Sequence, residues 1–565
     1  MAEQEKPNEL TNLPPSVVQF IELVIKKMRY SARVRRDVQA ELECHFADAL
    51  ADCETEQQRE QKARSLVSDF GDVKLLAILM RRAKKRCRPA WKKAILRTLQ
   101  TAAVLVMAFV IYTLWFVAGR PVATIDYLAL LNQQSRPDVL ERDNGWPDYE
   151  KAIASLIEPS RTLEEMGLIG GRRSARNLNF DKLTAAEQEE IRNWVNGNRD
   201  AWLKFAAGSS KSYCYWPYRY DPNDEDPWLM GVHSPPLAEL KAMARLGIWR
   251  ARIELSEENT QQAIRDCLAV ARAARHFQGK GHLVQQLVGV AISSLAHLEI
   301  FHIVETQKLS AADLMSLREQ LSQLYPEGYP LIDFEGERLL FLDTVQHVFT
   351  NGGPGGGHLT PRGLMDFKGN YDPGMTPIPE VFAVAASMVH AGRDETVAKG
   401  NEVYDRLAQT TGMTPWQRRA GDPADPEQIV MSLPNRRFLL LKILMPALSR
   451  VSEIGYRAKL THEATLTVLA LRQWQLEKSQ YPASLNELVS AGYLKELPMD
   501  PFSDKPLIYR KIDDGFTLYS VGHDSTDDGG TPGKNRKGRP NNWAQTGDAV
   551  FWPIPKPPET APEPL

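Results

Sequence analysis

The first 86 residues place apolar side chains at helical spacing. Val17, Phe20, Ile21, Val24 and Ile25 form one stripe, and Val38, Leu42, His45, Phe46 and Leu50 form a second. Leu66, Val67 and Phe70 end a third helix. Gly71 is placed to close it and Asp72 to cap the next, Val73 to Arg86. The pattern then changes. From Thr98 to Gly119 there is no charged residue and no amphipathic face. About 20 apolar residues at 1.5 Å rise cross a ~30 Å hydrocarbon core, and a helix there satisfies its own backbone hydrogen bonds. Tyr112 and Trp115 near the far end suit a membrane interface.

Beyond the apolar stretch, helical periodicity returns and dominates from 120 to 455. Leu237, Leu240, Met243, Ala244, Leu246 and Ile248 predict one helix, and Ala263, Ile264, Cys267, Leu268, Val270 and Ala271 its partner across the turn at Ser256–Asn259. Leu283 to Val304 and Ala311 to Leu324 extend the stack, which reads as solenoid-like although it has no strict period. Leu283 to Ile300 holds two glutamines, His297 and Glu299, so it reads as a buried helix rather than a second span. Near the end the period falls to two. A helix from Tyr456 to Glu477 with Leu460, Ala464, Val468 and Leu471 on one face precedes short strands at 507–511 and 516–521. Asp513-Asp514-Gly515 turns between them, and 549–552 is a candidate last strand. The expected class is mainly α. It comprises a small helical bundle (1–90), one transmembrane helix (98–119), an α-helical outer domain (120–455), a small α+β module (456–552) and a disordered Pro-rich tail (553–565).

Charge turns this outline into a topology. The nine cations from Arg81 to Arg97, with no acid among them, place residues 1–97 in the cytoplasm. The stretch is expected to be an uncleaved signal anchor in a bacterial inner membrane, with the C-terminal part extracytoplasmic (periplasmic). The overall charge of −2 argues against a nucleic-acid partner. Cys44, Cys53 and Cys87 then lie on the reducing side as thiols, while Cys214 and Cys267 lie outside as a candidate disulfide pair.

Catalytic motifs are incomplete. Asn351-Gly-Gly-Pro-Gly-Gly-Gly-His358 lacks a following Gly-Lys-Ser/Thr and reads as a loop. His462-Glu463 starts an H-E-x-x pattern, but Leu466 stands where zinc needs a second histidine. Asp333, Glu335, Glu337 and Asp343 crowd a helix start, where acids suit the helix dipole as well as acid–base chemistry. Tyr213, Tyr215, Trp216, Tyr218 and Tyr220 cluster around Cys214 as a packed loop or as a surface for glycan or peptide.

Two segments resemble known families. "RDVQAELECHFADAL" with "ARSLVSDFGDVKLLAILMRRAKKR" resembles the HAAS family of small helical domains, which implies a regulatory partner on the cytoplasmic side. Residues 481–530 resemble the C-terminal part of type II secretion pseudopilins. The landmarks are Tyr481-Pro482, Leu497-Pro498, Asp500-Pro501, Lys505-Pro506-Leu507, Gly515-Phe516, Tyr519-Ser520-Val521-Gly522 and the acidic glycine loop to Gly530. That resemblance implies a calcium site in the loop, for which Asp524, Asp527 and Asp528 supply hard oxygens. The prepilin cleavage site and apolar helix do not directly precede the module, which argues against polymerisation. The functional expectation is a non-enzymatic single-pass membrane protein with protein partners on both sides. An accessory part of a secretion or pilus-like system and an extracytoplasmic hydrolase near Glu335 and Glu337 are the alternatives.

Overall fold

Gly71 shows how local chemistry sets this fold. It adopts φ +70°, closing the helix Glu56–Asp69, and the Asp72 carboxylate accepts the Lys74 N–H at 2.7 Å to start Val73–Arg86. The structure is a computed structural model. It describes residues 13–556 except 87–89, 138, 170–179, 224–226, 233–234, 372–378, 422–424, 446–447, 514 and 537. Cys87, Asp514 and most of the expected tail thus lie outside the described residues. The chain divides into two units, residues 1–116 and 117–565.

In the first unit, the helices Pro15–Lys27, Ala32–Leu50, Glu56–Asp69 and Val73–Arg86 pack the apolar stripes read from the sequence together, His45 excepted. The rings of Phe20, Phe46 and Phe70 meet at 5.3 to 5.9 Å in its centre. His45 stays exposed and sets its edge against Phe70. The helix Ala90–Val117 follows.

Among the described residues, two helices are long and apolar enough to cross a membrane by length and composition. These are Ala94–Val117, at mean hydropathy 2.0, and Leu283–Thr306, at 1.8. The most apolar window of the first has no buried residue, whereas that of the second is 61% buried.

The second unit is a stack of helices with a small sheet at one end. Leu237–Ser256, Thr260–His276 and Leu283–Thr306 pack side by side. Gly247 brings the stack close to its neighbour: a Cβ there would lie 2.5 Å from the Trp202 ring. Beyond Ala311–Ser322 the stack does not continue as a solenoid. The long helix Leu448–Lys478 lies against both Leu283–Thr306 and Ala311–Ser322. Its Leu460, Ala464, Val468 and Leu471 are fully buried, and one core runs from Trp146 to Phe551. The boundary expected at 455/456 therefore falls inside this helix, and the outer domain and α+β module share one interior. Met499–Asp500 and Lys505–Pro506 pair in a two-stranded sheet, and Ile508–Ile512, Gly515–Ser520 and Ala549–Trp552 form a three-stranded one, all antiparallel, with a register shift at Leu518/Tyr519.

The expected Cys214–Cys267 bridge is corrected: both cysteines are free. Cys267 is buried mid-helix, whereas the Cys214 loop reaches the far end of that helix, where His276 meets Lys211 O at 2.9 Å.

Within the second unit, the segment 121–125 is pinned to the helix Glu335–Val348 and to Thr350. The Gln346 side chain accepts the Thr124 and Ile125 N–H groups at 3.1 and 3.2 Å, and donates to Ile125 O at 2.9 Å. Its amide also donates to Asp343 Oδ1 at 3.0 Å. Pro121 bridges Thr350 in antiparallel fashion.

Candidate binding cleft

Asn144 organises an open cleft of about 430 Å³ on the second unit. Its Oδ1 accepts the Trp146 and Tyr215 N–H groups at 3.1 and 2.9 Å, and its Nδ2 donates to Tyr215 O at 3.1 Å and Glu141 Oε1 at 3.0 Å. This clamp sets the loop 213–220 beside the helix Trp146–Ala154, whose first turn tolerates Pro147 because its N–H would have no helical partner. Gly145 permits the close approach, since a Cβ there would sit 2.6 Å from Gly208 O.

The lining combines flat apolar surfaces with both signs of charge. Trp146 and Trp216 meet edge to face at 4.2 Å, flanked by Pro147, Pro217 and Tyr215. Arg136 stands 5.9 Å above the Tyr215 ring, and Arg219, Glu141 and Glu150 complete the rim. Tyr218 anchors the loop from below. Its hydroxyl donates to Gln285 Oε1 at 2.7 Å and accepts His282 N–H at 3.0 Å, and burial pushes it up to about 12. Burial likewise raises the Cys214 thiol, keeping it protonated and inert. Such a cleft stacks on a ligand while ion pairs fix its direction.

Of the aromatic cluster read from the sequence, only Tyr215 and Trp216 line the cleft. Tyr213 donates to Leu140 O at 3.2 Å, and burial holds the Tyr220 hydroxyl above its usual range. Trp146, Arg136, Glu141, Glu150 and Arg219 were not anticipated. One sequence signal bears on the cleft: of the three Trp-Pro dipeptides, at 146–147, 216–217 and 552–553, the first two line it.

The other candidates hold the fold together. Asp333 Oδ1 accepts Glu335 N–H at 2.9 Å, and Glu337 accepts Leu283 N–H at 3.1 Å. Glu335 lies 3.8 Å from Arg338, and Asp343 Oδ2 accepts Leu229 N–H at 2.6 Å. Asp333 and Glu335 thus meet each other, while Glu337 and Asp343 are engaged elsewhere. The glycine loop closes on itself through Gly352 N–H to Gly356 O at 2.9 Å, using left-handed backbone at Gly352, Gly353, Gly355, Gly356 and Gly357. His462 is buried. His297 Nδ1–H donates to Ser293 O at 2.8 Å, which leaves its Nε2 to accept from His462 Nδ1 at 3.0 Å. This pair joins the helices Leu283–Thr306 and Leu448–Lys478.

Two of the three candidate carboxylates in the acidic loop are engaged by protein donors. Asp527 accepts Tyr519 OH and Gly529 N–H, both at 2.9 Å, and Arg510 at 3.0 Å. Burial would raise its carboxyl, yet these donors hold it below its usual range. Asp524 accepts Thr526 and Gly547 N–H groups at 3.1 and 3.2 Å. Asp528 turns its own N–H to the buried Asp548, which also takes Gly530 N–H at 2.6 Å. Among the described residues, no three His, Cys, Asp or Glu side chains converge as a metal would need. A guanidinium and backbone amides supply the positive charge instead.

No family model, curated protein or solved structure matches this chain.

Proposed function

We propose that the chain is a single-pass inner-membrane protein whose periplasmic unit binds an extended protein segment in the Trp146/Trp216 cleft. The aromatic and proline-lined cleft with charges of both signs is the observation that carries this reading, because a peptide offers apolar faces and both charges together. The anchor is the helix Ala94–Val117, and the bundle before it serves a cytoplasmic partner. The cations between Arg81 and Arg97 support that orientation. Leu283–Thr306 is a core helix in this reading, with Gln286, His297 and Glu299 buried along it.

Two measurements test the proposal. Protease added to intact spheroplasts should digest the outer unit and spare a fragment carrying residues 1–116; digestion of that fragment instead would reverse the orientation. A photo-crosslinking residue at Tyr215 in living cells should give a discrete protein adduct that disappears with Trp216→Ala and does not form from the exposed Leu203. No adduct, or one indifferent to Trp216→Ala, would remove the cleft as the binding site.

A further inference from the structure

A second groove, about 350 Å³, runs between the helices Leu237–Ser256 and Leu283–Thr306. That volume is at the lower end for enclosed small ligands, ~300–1,000 Å³. Its two walls follow helical spacing. Lys241, Arg245, Trp249 and Arg252 recur along one face of the first helix, and Ala291, Ser294, Leu295 and Leu298 along the facing side of the second. The helices run in the same direction, so the groove has distinct ends. At one end, Arg252 is neutralised by the buried Glu299 at 2.8 Å and covers the Trp249 ring at 4.8 Å. At the other end, Lys241 and Arg245 make no ion pair or hydrogen bond among the described residues. Both are only partly exposed, and they lie one turn apart, where like charges repel.

The small side chain of Ala291 leaves the space between the walls. Leu295 and Leu298 make its far part apolar, and Leu298 remains 39% exposed. The hydroxyl of Ser294 donates to Val290 O at 3.0 Å, so towards the groove it presents lone pairs. An unpaired cationic end continuous with an apolar trough calls for an anion carrying hydrocarbon. A carboxylate matches the planar fork of a guanidinium.

We propose that this groove binds an aliphatic carboxylate, with the head between Lys241 and Arg245 and the chain over Ala291, Leu295 and Trp249. The site is independent of the aromatic cleft, and its success or failure leaves that reading untouched.

The test is calorimetric titration of the full chain in lipid nanodiscs with sodium decanoate, with the heat of empty discs subtracted. Decyltrimethylammonium, with the same chain and the opposite head charge, is the control. Decanoate should bind saturably at one site and the ammonium compound should not. The double variant Lys241→Gln/Arg245→Gln should weaken binding at least 10-fold at an unchanged melting temperature. Ala291→Leu keeps both cations, fills the trough and should abolish binding. Absence of a saturable heat, equal binding of both heads, or unaltered affinity in the double variant would overturn the proposal.

Discussion

Glu463 and the buried histidines pull stability in opposite directions with pH. Burial lowers His276 and His297 to about 4, so the folded chain refuses protons that an unfolded chain accepts near 6.5. Their contribution is whole above pH 6.5 and is lost as pH falls towards 4. Burial raises Glu463 to about 7 and Asp266 to about 6, and their contribution is lost as pH rises through those values. Glu463→Gln, neutral at every pH, should therefore raise the melting temperature much more at pH 8 than at pH 5, because the loss begins at the ordinary carboxylate value and is complete above 7. The gain at pH 8 should correspond to about 1–3 kcal/mol, one pKa unit being worth about 1.4. Scanning calorimetry at the two pH values decides; equal shifts at both would place the charge of Glu463 outside the energetics.

Single glycines decide how closely the helices approach. Gly400, in Arg393–Thr411, faces Phe341 so tightly that a Cβ would sit 2.2 Å from its ring. Phe341 is 1% exposed and has no room to retreat. Gly400→Ala should cost about 1–3 kcal/mol from overpacking, outweighing the roughly 1 kcal/mol that alanine gains in a helix. Gly412→Ala, where the nearest atom stands 4.0 Å away, should be close to neutral in the same denaturant titration. If both behave alike, packing against Phe341 is not what fixes Gly400. The helices themselves were legible because their cause is local: the stripe from Val17 to Val24, the Gly71 closure and the Asp72 cap all lie within a few residues of one another. The three strands of the larger sheet were legible to within one residue for the same reason, whereas the short pair Met499–Asp500 and Lys505–Pro506 was not. The cleft was not, because Asn144 meets Tyr215 across 71 residues, and only the repeated Trp-Pro hinted at the meeting. The loop acids were read as metal ligands because Arg510 and Asp548, which satisfy the loop, lie outside its short run of sequence.

At the scale of the molecule, the continuous core makes one cooperative unit of what the sequence divides in two. The His297–His462 contact spans 165 residues, and Leu448–Lys478 is shared property of both halves. Residues 117–565 should melt in a single calorimetric transition, and residues 456–565 expressed alone should show none. A cooperative transition in the short fragment would restore the module's independence. Such long-range pairing escapes a reading by periodicity, which sees that a face is apolar but not which face it meets.

The amide of Gln346 gives the unit 117–565 a mechanical property as well. The segment between Val117 and Ile125 is too short and too firmly bonded to act as a slack tether. A pull on the chain at residue 118 is delivered through the Pro121–Thr350 bridge and the Gln346 side chain, and from Gln346 through Asp343 to Leu229. Tension applied at residue 118 is thus felt first in the interior of residues 117–565.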